Sequence, residues 1–176
     1  MTDSCFKKRL RADKKMIDQA LMKYVPSGNT YPGIIHRAMR YAVFPGGKRI
    51  RAIMAFEVSR LFSRITADSL KAACAIELIH SYSLIHDDLP CMDNDDTRRG
   101  KPSVHKKFGE DIALLAGDGL LTLSFTVISQ LRDTEKAIRA ARVMADASGT
   151  KGMIGGQVAE LTSLNEKKMK KNIEYI

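Results

Sequence analysis

Asp87-Asp88-Leu-Pro-Cys-Met-Asp93 sets three carboxylates within one short stretch, and Arg98-Arg99-Gly100-Lys101 follows a few positions later. Clustered acids beside clustered bases are costly unless something bridges them. Carboxylate oxygens are hard ligands suited to Mg²⁺, and arginine forks suit phosphate oxygens. Two readings fit the block: a solvated charged turn after a helix, or a site for a metal-bridged diphosphate.

The elements that must position these residues read as helices. Apolar positions recur with helical periodicity, and β-branched alternation is scarce. The pattern predicts helices over 4–24, 32–43, 48–62, 67–88, 109–131, 134–147 and 150–162, in an all-α fold. Within 67–88 the run from Ala72 to His86 is apolar over much of its circumference, as in a buried helix. His80, Ser83 and Asp87 fall at i, i+3 and i+7 and share one face. Such a stripe faces a core network, water or a ligand; for His80 and Asp87 the ligand reading is favoured, and for Ser83 alone the core network. Pro90 ends the helix, because the residue before a proline leaves the α region. On an unbroken helix a separation of six would set Asp87 and Asp93 on opposite sides. One metal cluster therefore requires the chain to bulge back at Pro90. The segment 111–131 is also apolar around its circumference, and part of it is expected to form an oligomer surface.

Composition narrows the function. A chain of 176 residues with 44% apolar content suits one domain with a real core, and no internal boundary is evident over 1–176. The net charge of +9 is concentrated near the ends, in Lys7-Lys8-Arg9 and in Lys167-Lys168 with Lys170-Lys171, as solvated faces or tails. No nucleic-acid module is visible. Cys5, Cys74 and Cys91 are scattered and odd in number, with no metal-ligand spacing and no disulfide framework. A reducing cytoplasm is expected, with no signal peptide and no integral membrane segment.

From Glu77 to Leu123 the chain closely resembles the short-chain trans-isoprenyl diphosphate synthases, the farnesyl and geranylgeranyl diphosphate synthases. The first aspartate-rich motif stands as Asp87-Asp88-Leu-Pro-Cys-Met-Asp93-Asn-Asp95-Asp96-Thr-Arg98-Arg99-Gly-Lys-Pro, followed by Phe108-Gly-Glu-Asp and Leu115-Ala-Gly-Asp118. Upstream, Gly46-Gly47-Lys48-Arg49-Ile-Arg51 resembles the motif for the homoallylic substrate. Downstream, Gly155-Gly156-Gln157 matches a third signature. The resemblance implies the N-terminal portion of an isoprenoid synthase helical bundle around a central cavity, in a homodimer. It implies Mg²⁺-dependent head-to-tail condensation of isopentenyl diphosphate with an allylic diphosphate, giving farnesyl or geranylgeranyl diphosphate. Asp87 and Asp93, with Asp88 in support, would hold Mg²⁺ on the allylic diphosphate, and Arg98 would bind the same group. Arg99, Lys48, Arg51 and His80 would bind isopentenyl diphosphate. Tyr82, with Ser83 beside it, would set the cavity floor and so the product length.

The same resemblance implies a second aspartate-rich motif farther along, and no second Asp-Asp-x-x-Asp occurs in the sequence. The expectation is a shortened, incomplete polyprenyl synthase domain with little turnover by itself. The alternatives are a partner subunit of a full-length synthase and a degenerate, non-catalytic homologue. A metal phosphohydrolase built on His80, His86 and Asp87 is the remote alternative. It would need further ligands, and only His36 and His105 remain among the histidines.

Overall fold

The computed structural model describes residues 3–44 and 46–162. Two compact units divide the chain, residues 1–132 and 133–176. The first holds α1 (Asp3–Tyr24), α2 (Gly33–Val43), α3 (Ile50–Phe62), α4 (Ala67–Asp87), β1 (Thr97–Arg98), β2 (Lys101–Pro102), α5 (Val104–Phe108) and α6 (Glu110–Ser129). The second holds α7 (Thr134–Ser148) and α8 (Met153–Leu161), with Asp133 capping α7 by accepting from the Lys136 amide.

The fold is all-α, as expected, apart from a two-stranded hairpin and the five-residue α5. Strands of two residues leave no alternation to read, and α5 is too short to show a period. α4 is the central element of the first unit. α6 runs along it, and α3, α1 and α2 also pack on it. Ala73, Cys74 and Ala75 on α4, with Ala113 and Ala116 on α6, are fully buried, and their small side chains let helices approach closely. Leu78, Phe56, Ile17, Leu21, Leu120 and Val127 complete the apolar core. α4 begins on a capping box: the Ser69 amide donates to Thr66 Oγ1 at 3.1 Å, and the Thr66 amide donates to Ser69 Oγ at 3.3 Å.

One expectation needs correction. α6 is long and apolar enough to cross a bilayer by length and composition, although no such segment was anticipated. The fold gives that composition another use, because Ala113, Ala116, Leu120, Val127 and Ile128 are buried where α6 packs on α4 and α2.

Candidate functional site

α4 delivers the acids. Beyond its last residue, Asp87, the chain turns back on itself. The Leu89 amide donates to the His86 carbonyl at 3.1 Å, and the Met92 and Asn94 amides donate to the Leu89 carbonyl at 2.9 and 3.1 Å. The Asp93 amide then donates to the Asp87 carbonyl at 2.8 Å. The bulge that the sequence required has formed, and Asp93 returns beside Asp87. Burial, and after it the negative charge of Asp93, pushes the Asp87 carboxyl above its ordinary value. Two neighbouring carboxylates at a helix end, the charge of one raising the cost of ionising Asp87, are a donor set that suits a hard divalent cation.

Asp88 points elsewhere. It is buried, and Arg98 donates to it from Nε at 3.0 Å and also from Nη2. The expected trio of Asp87, Asp88 and Asp93 therefore resolves into a carboxylate pair and an ion pair. Among the described residues no three His, Cys, Asp or Glu side chains converge as a metal site. Consecutive residues at a helix end point about 100° apart, so Asp88 cannot face where Asp87 faces.

The hairpin sorts the two arginines. Arg98 pairs with Lys101 across the strands, and the turn between them is Arg99-Gly100, with φ of 56° and 75°. Both turn residues lie in the left-handed region, as a two-residue primed turn demands, and glycine takes the second place without strain. Tyr41 of α2 anchors the hairpin by donating from its hydroxyl to the Pro102 carbonyl at 2.9 Å. Lys107 lies 3.9 Å from the centre of the Tyr41 ring.

A basic cleft of about 400 Å³ opens where α3 begins, lined by Gly47, Lys48, Arg49, Ile50, Arg51, Glu77, His80 and Arg99. It gathers Lys48, Arg51, His80 and Arg99, the four residues assigned to one diphosphate. Lys48 and Arg51 are exposed. Arg51 Nη1 and His80 Nε2 are 3.5 Å apart. Burial, with the Arg51 charge next in size, lowers the pKa of His80, so its ring is mainly neutral near pH 7. Burial and then Arg49 lower that of Arg99, with Glu77 opposing.

Sequence reading missed what lies beneath the cleft. Arg49 takes a left-handed φ of 57° and turns inward. It donates from Nε to Asp18 at 2.8 Å, from Nη1 to Glu77 at 3.0 Å and from Nη2 to the Val43 carbonyl at 2.7 Å. Glu77 is as buried as Arg49, and its Oε2 has no hydrogen-bond partner. In the run Lys48-Arg49-Ile-Arg51 nothing marks the middle arginine as the inward one. Only the apolar surroundings of Glu77 on α4 hinted that a buried acid awaited a base.

His80, Ser83 and Asp87 are all half-buried on their shared stripe, while Tyr82 is buried and its hydroxyl has no hydrogen-bond partner. The Tyr82 ring meets His86 edge-on at 5.6 Å. His86 Nε2 lies 3.1 Å from the Leu114 carbonyl oxygen and 3.7 Å from Asp118. His36 lies against the Thr30 carbonyl and His105 against Ser103, so neither joins the ligand set that a phosphohydrolase needs. Gly155, Gly156 and Gln157 lie within α8 in the second unit.

Comparison with known proteins places the fold and the sequence in one family. A family model described as polyprenyl synthetase matches residues 32–176. The chain is 44% identical over 167 residues to a farnesyl diphosphate synthase of Bacillus subtilis, covering 93% of this chain and 56% of that protein. It is 46% identical over 162 residues to geranylgeranyl pyrophosphate synthase 11 of Arabidopsis thaliana, covering 90% and 45%. The crystal structure of an FPP/GFPP synthase from Zymomonas mobilis superposes with a TM-score of 0.89 at 37% identity, over 97% of this chain and 65% of that one. The chain thus spans about half the length of the curated relatives it matches. With motif, fold and family match in agreement, the chain belongs to the polyprenyl synthetase family.

Proposed function

We propose that this chain supplies the diphosphate-binding half of a prenyltransferase site, for head-to-tail condensation of isopentenyl diphosphate with an allylic diphosphate to farnesyl or geranylgeranyl diphosphate. The observation that carries the reading is the division of labour at the hairpin. Arg98 goes to the acid loop and Arg99, next in sequence, goes to the basic cleft. One short turn thereby serves two anion sites side by side, as a reaction between two diphosphates requires.

Asp87 and Asp93 would hold Mg²⁺ against the allylic diphosphate, where the ion, when bound, draws charge from the leaving group and templates its position. Arg98, braced by Asp88, would bind the same group. Lys48, Arg51 and Arg99, with neutral His80 as a hydrogen-bonding partner, would hold isopentenyl diphosphate. The allylic carbon–oxygen bond then breaks, the isopentenyl double bond attacks, and a proton leaves to the departing pyrophosphate. Apolar walls would keep water from the cation. We place the protein in the cytoplasm as a homodimer and read 1–176 as part of one polyprenyl synthase domain. Leu114 and Leu115, exposed on α6, support a subunit contact.

Equilibrium dialysis tests the two-site reading. Isopentenyl diphosphate should bind in chelator and be lost in Lys48→Ala and Arg51→Ala. A non-hydrolysable allylic diphosphate analogue should need Mg²⁺ and be lost in Asp87→Asn. Equal binding of both ligands with and without Mg²⁺ refutes it. Turnover of radiolabelled isopentenyl diphosphate by the 176-residue chain alone should be slight.

A further inference from the structure

We propose that Gly47 is a positioning residue: its missing side chain is the seat over which the Arg99 guanidinium lies, and that seat fixes Arg99 across the basic cleft. The proposal rests on reading the cleft as a diphosphate site. An alanine Cβ at position 47 would stand 2.8 Å from Arg99 Nη2, 2.9 Å from Cζ and 3.3 Å from Nε. Three guanidinium atoms at nearly equal range mean that the group passes over the glycine rather than touching it with one tip. The φ of Gly47 lies outside the left-handed region, so the backbone does not demand glycine here. Space is the remaining reason for it.

Gly46 makes the contrast. A Cβ there would fall 1.8 Å from Arg49 Nη2, and Arg49 is buried and held by Asp18, Glu77 and Val43. Of the two successive glycines, the first makes room for a guanidinium of the core and the second for a guanidinium of the cleft. Arg99 comes from the hairpin tip and Gly47 from the approach to α3, so the seat ties two segments of the first unit together. It leaves that place open to Arg99 before any anion arrives, and a donor already in position binds more tightly than one that must be ordered on binding. Gly46 and Gly47 thus each leave room for one arginine, the first beneath the cleft and the second across it.

A double-mutant cycle tests the seat. Binding of inorganic pyrophosphate in chelator is measured by calorimetry for the parent chain, Gly47→Ala, Arg99→Ala and the double variant. Arg99→Ala should weaken binding about tenfold, the worth of one charge-assisted contact. Gly47→Ala should weaken it about three- to tenfold with an unchanged thermal midpoint, and the double variant should bind no worse than Arg99→Ala. Parent-like binding by Gly47→Ala, or additive losses in the double variant, overturns the proposal. The Arg99 Nε–Hε resonance, assigned by its loss in Arg99→Ala, should shift in Gly47→Ala, and an unmoved resonance overturns it as well. A parent chain that binds no pyrophosphate removes the diphosphate reading, while the resonance still decides whether the seat exists.

Discussion

The Asp93 amide donates to the Asp87 carbonyl at 2.8 Å, a backbone bond that closes the loop after Pro90 and returns one carboxylate to the other. Six residues apart on a helix they would lie on different sides, about 120° apart. Their nearness is recorded in Asp87, whose carboxyl is pushed up first by burial and then by Asp93.

Asp93→Asn should therefore bring the Asp87 pKa down, though not to its ordinary value, because burial is the larger cause. A carboxylate raised on folding costs stability. That cost is absent below the unfolded value near 3.9 and grows as pH rises through the folded one. Carboxylate NMR titration of the two proteins measures the shift. An Asp87 value unmoved by Asp93→Asn would show that the charges do not meet.

Asp88→Asn should behave differently from Asp87→Asn. Asp88 is buried and forks with Arg98, whose side chain is 35% exposed. Discounting for that exposure, loss of the charge should cost about 1–2 kcal/mol of stability. Asp87→Asn should leave the urea midpoint unchanged or raise it, since it removes a raised carboxyl. Equal losses for the two would erase the distinction between a braced arginine and a ligand pair.

The difference between these neighbours marks how far the sequence could be read. The helices, the stop at Pro90 and the gathering of Lys48, Arg51 and His80 were legible, because periodicity and family motif both pointed to them. The division of Asp88 from Asp87 was not, since it depends on where Arg98 lies, and Arg98 is placed by a hairpin whose strands are too short to leave a pattern. Arg49 was hidden for a related reason. Its inward turn follows from a left-handed φ that is uncommon outside glycine and asparagine.

Arg49→Met should be among the most damaging single changes in the first unit. It leaves Glu77 buried with neither oxygen paired and takes one partner from Asp18. Breaking a buried pair from one side costs about 3–5 kcal/mol. The double variant Arg49→Met with Glu77→Gln should recover part of that loss, because no buried charge is then orphaned. Denaturant midpoints of the three proteins report the result, and an unrescued double variant would show that the arginine matters by packing.

His80 gives a pH signature. Its folded pKa is depressed, by burial first and Arg51 second. The unfolded chain thus binds a proton that the folded chain resists, so a penalty is present below the folded value and fades as pH rises through about 6.5. His80→Gln should remove that part of the pH dependence of unfolding. Pyrophosphate in the cleft should raise the His80 pKa and draw in a proton below that pH. Calorimetry in two buffers of different ionisation enthalpy detects the uptake, which should vanish in His80→Gln.

Tyr82 stands five residues before Asp87, about 7–8 Å along the helix axis, where the family resemblance sets the floor of the product cavity. Its ring is buried and its hydroxyl lacks a hydrogen-bond partner. A buried hydroxyl without a partner costs about 1–3 kcal/mol. Tyr82→Phe should therefore hold or raise the thermal midpoint and, with the ring retained, keep any product near farnesyl length. Ser83 shares its stripe with Asp87 and hydrogen-bonds to the His80 carbonyl at 3.0 Å, so it lines up with the acid but has no bulk to stop a chain. Tyr82→Ala should lengthen the product of a full-length synthase carrying these residues, and Ser83→Ala should not. Chromatography of the dephosphorylated alcohols decides. A geranylgeranyl product from the unaltered site, or no lengthening in Tyr82→Ala, assigns the ring to the core alone.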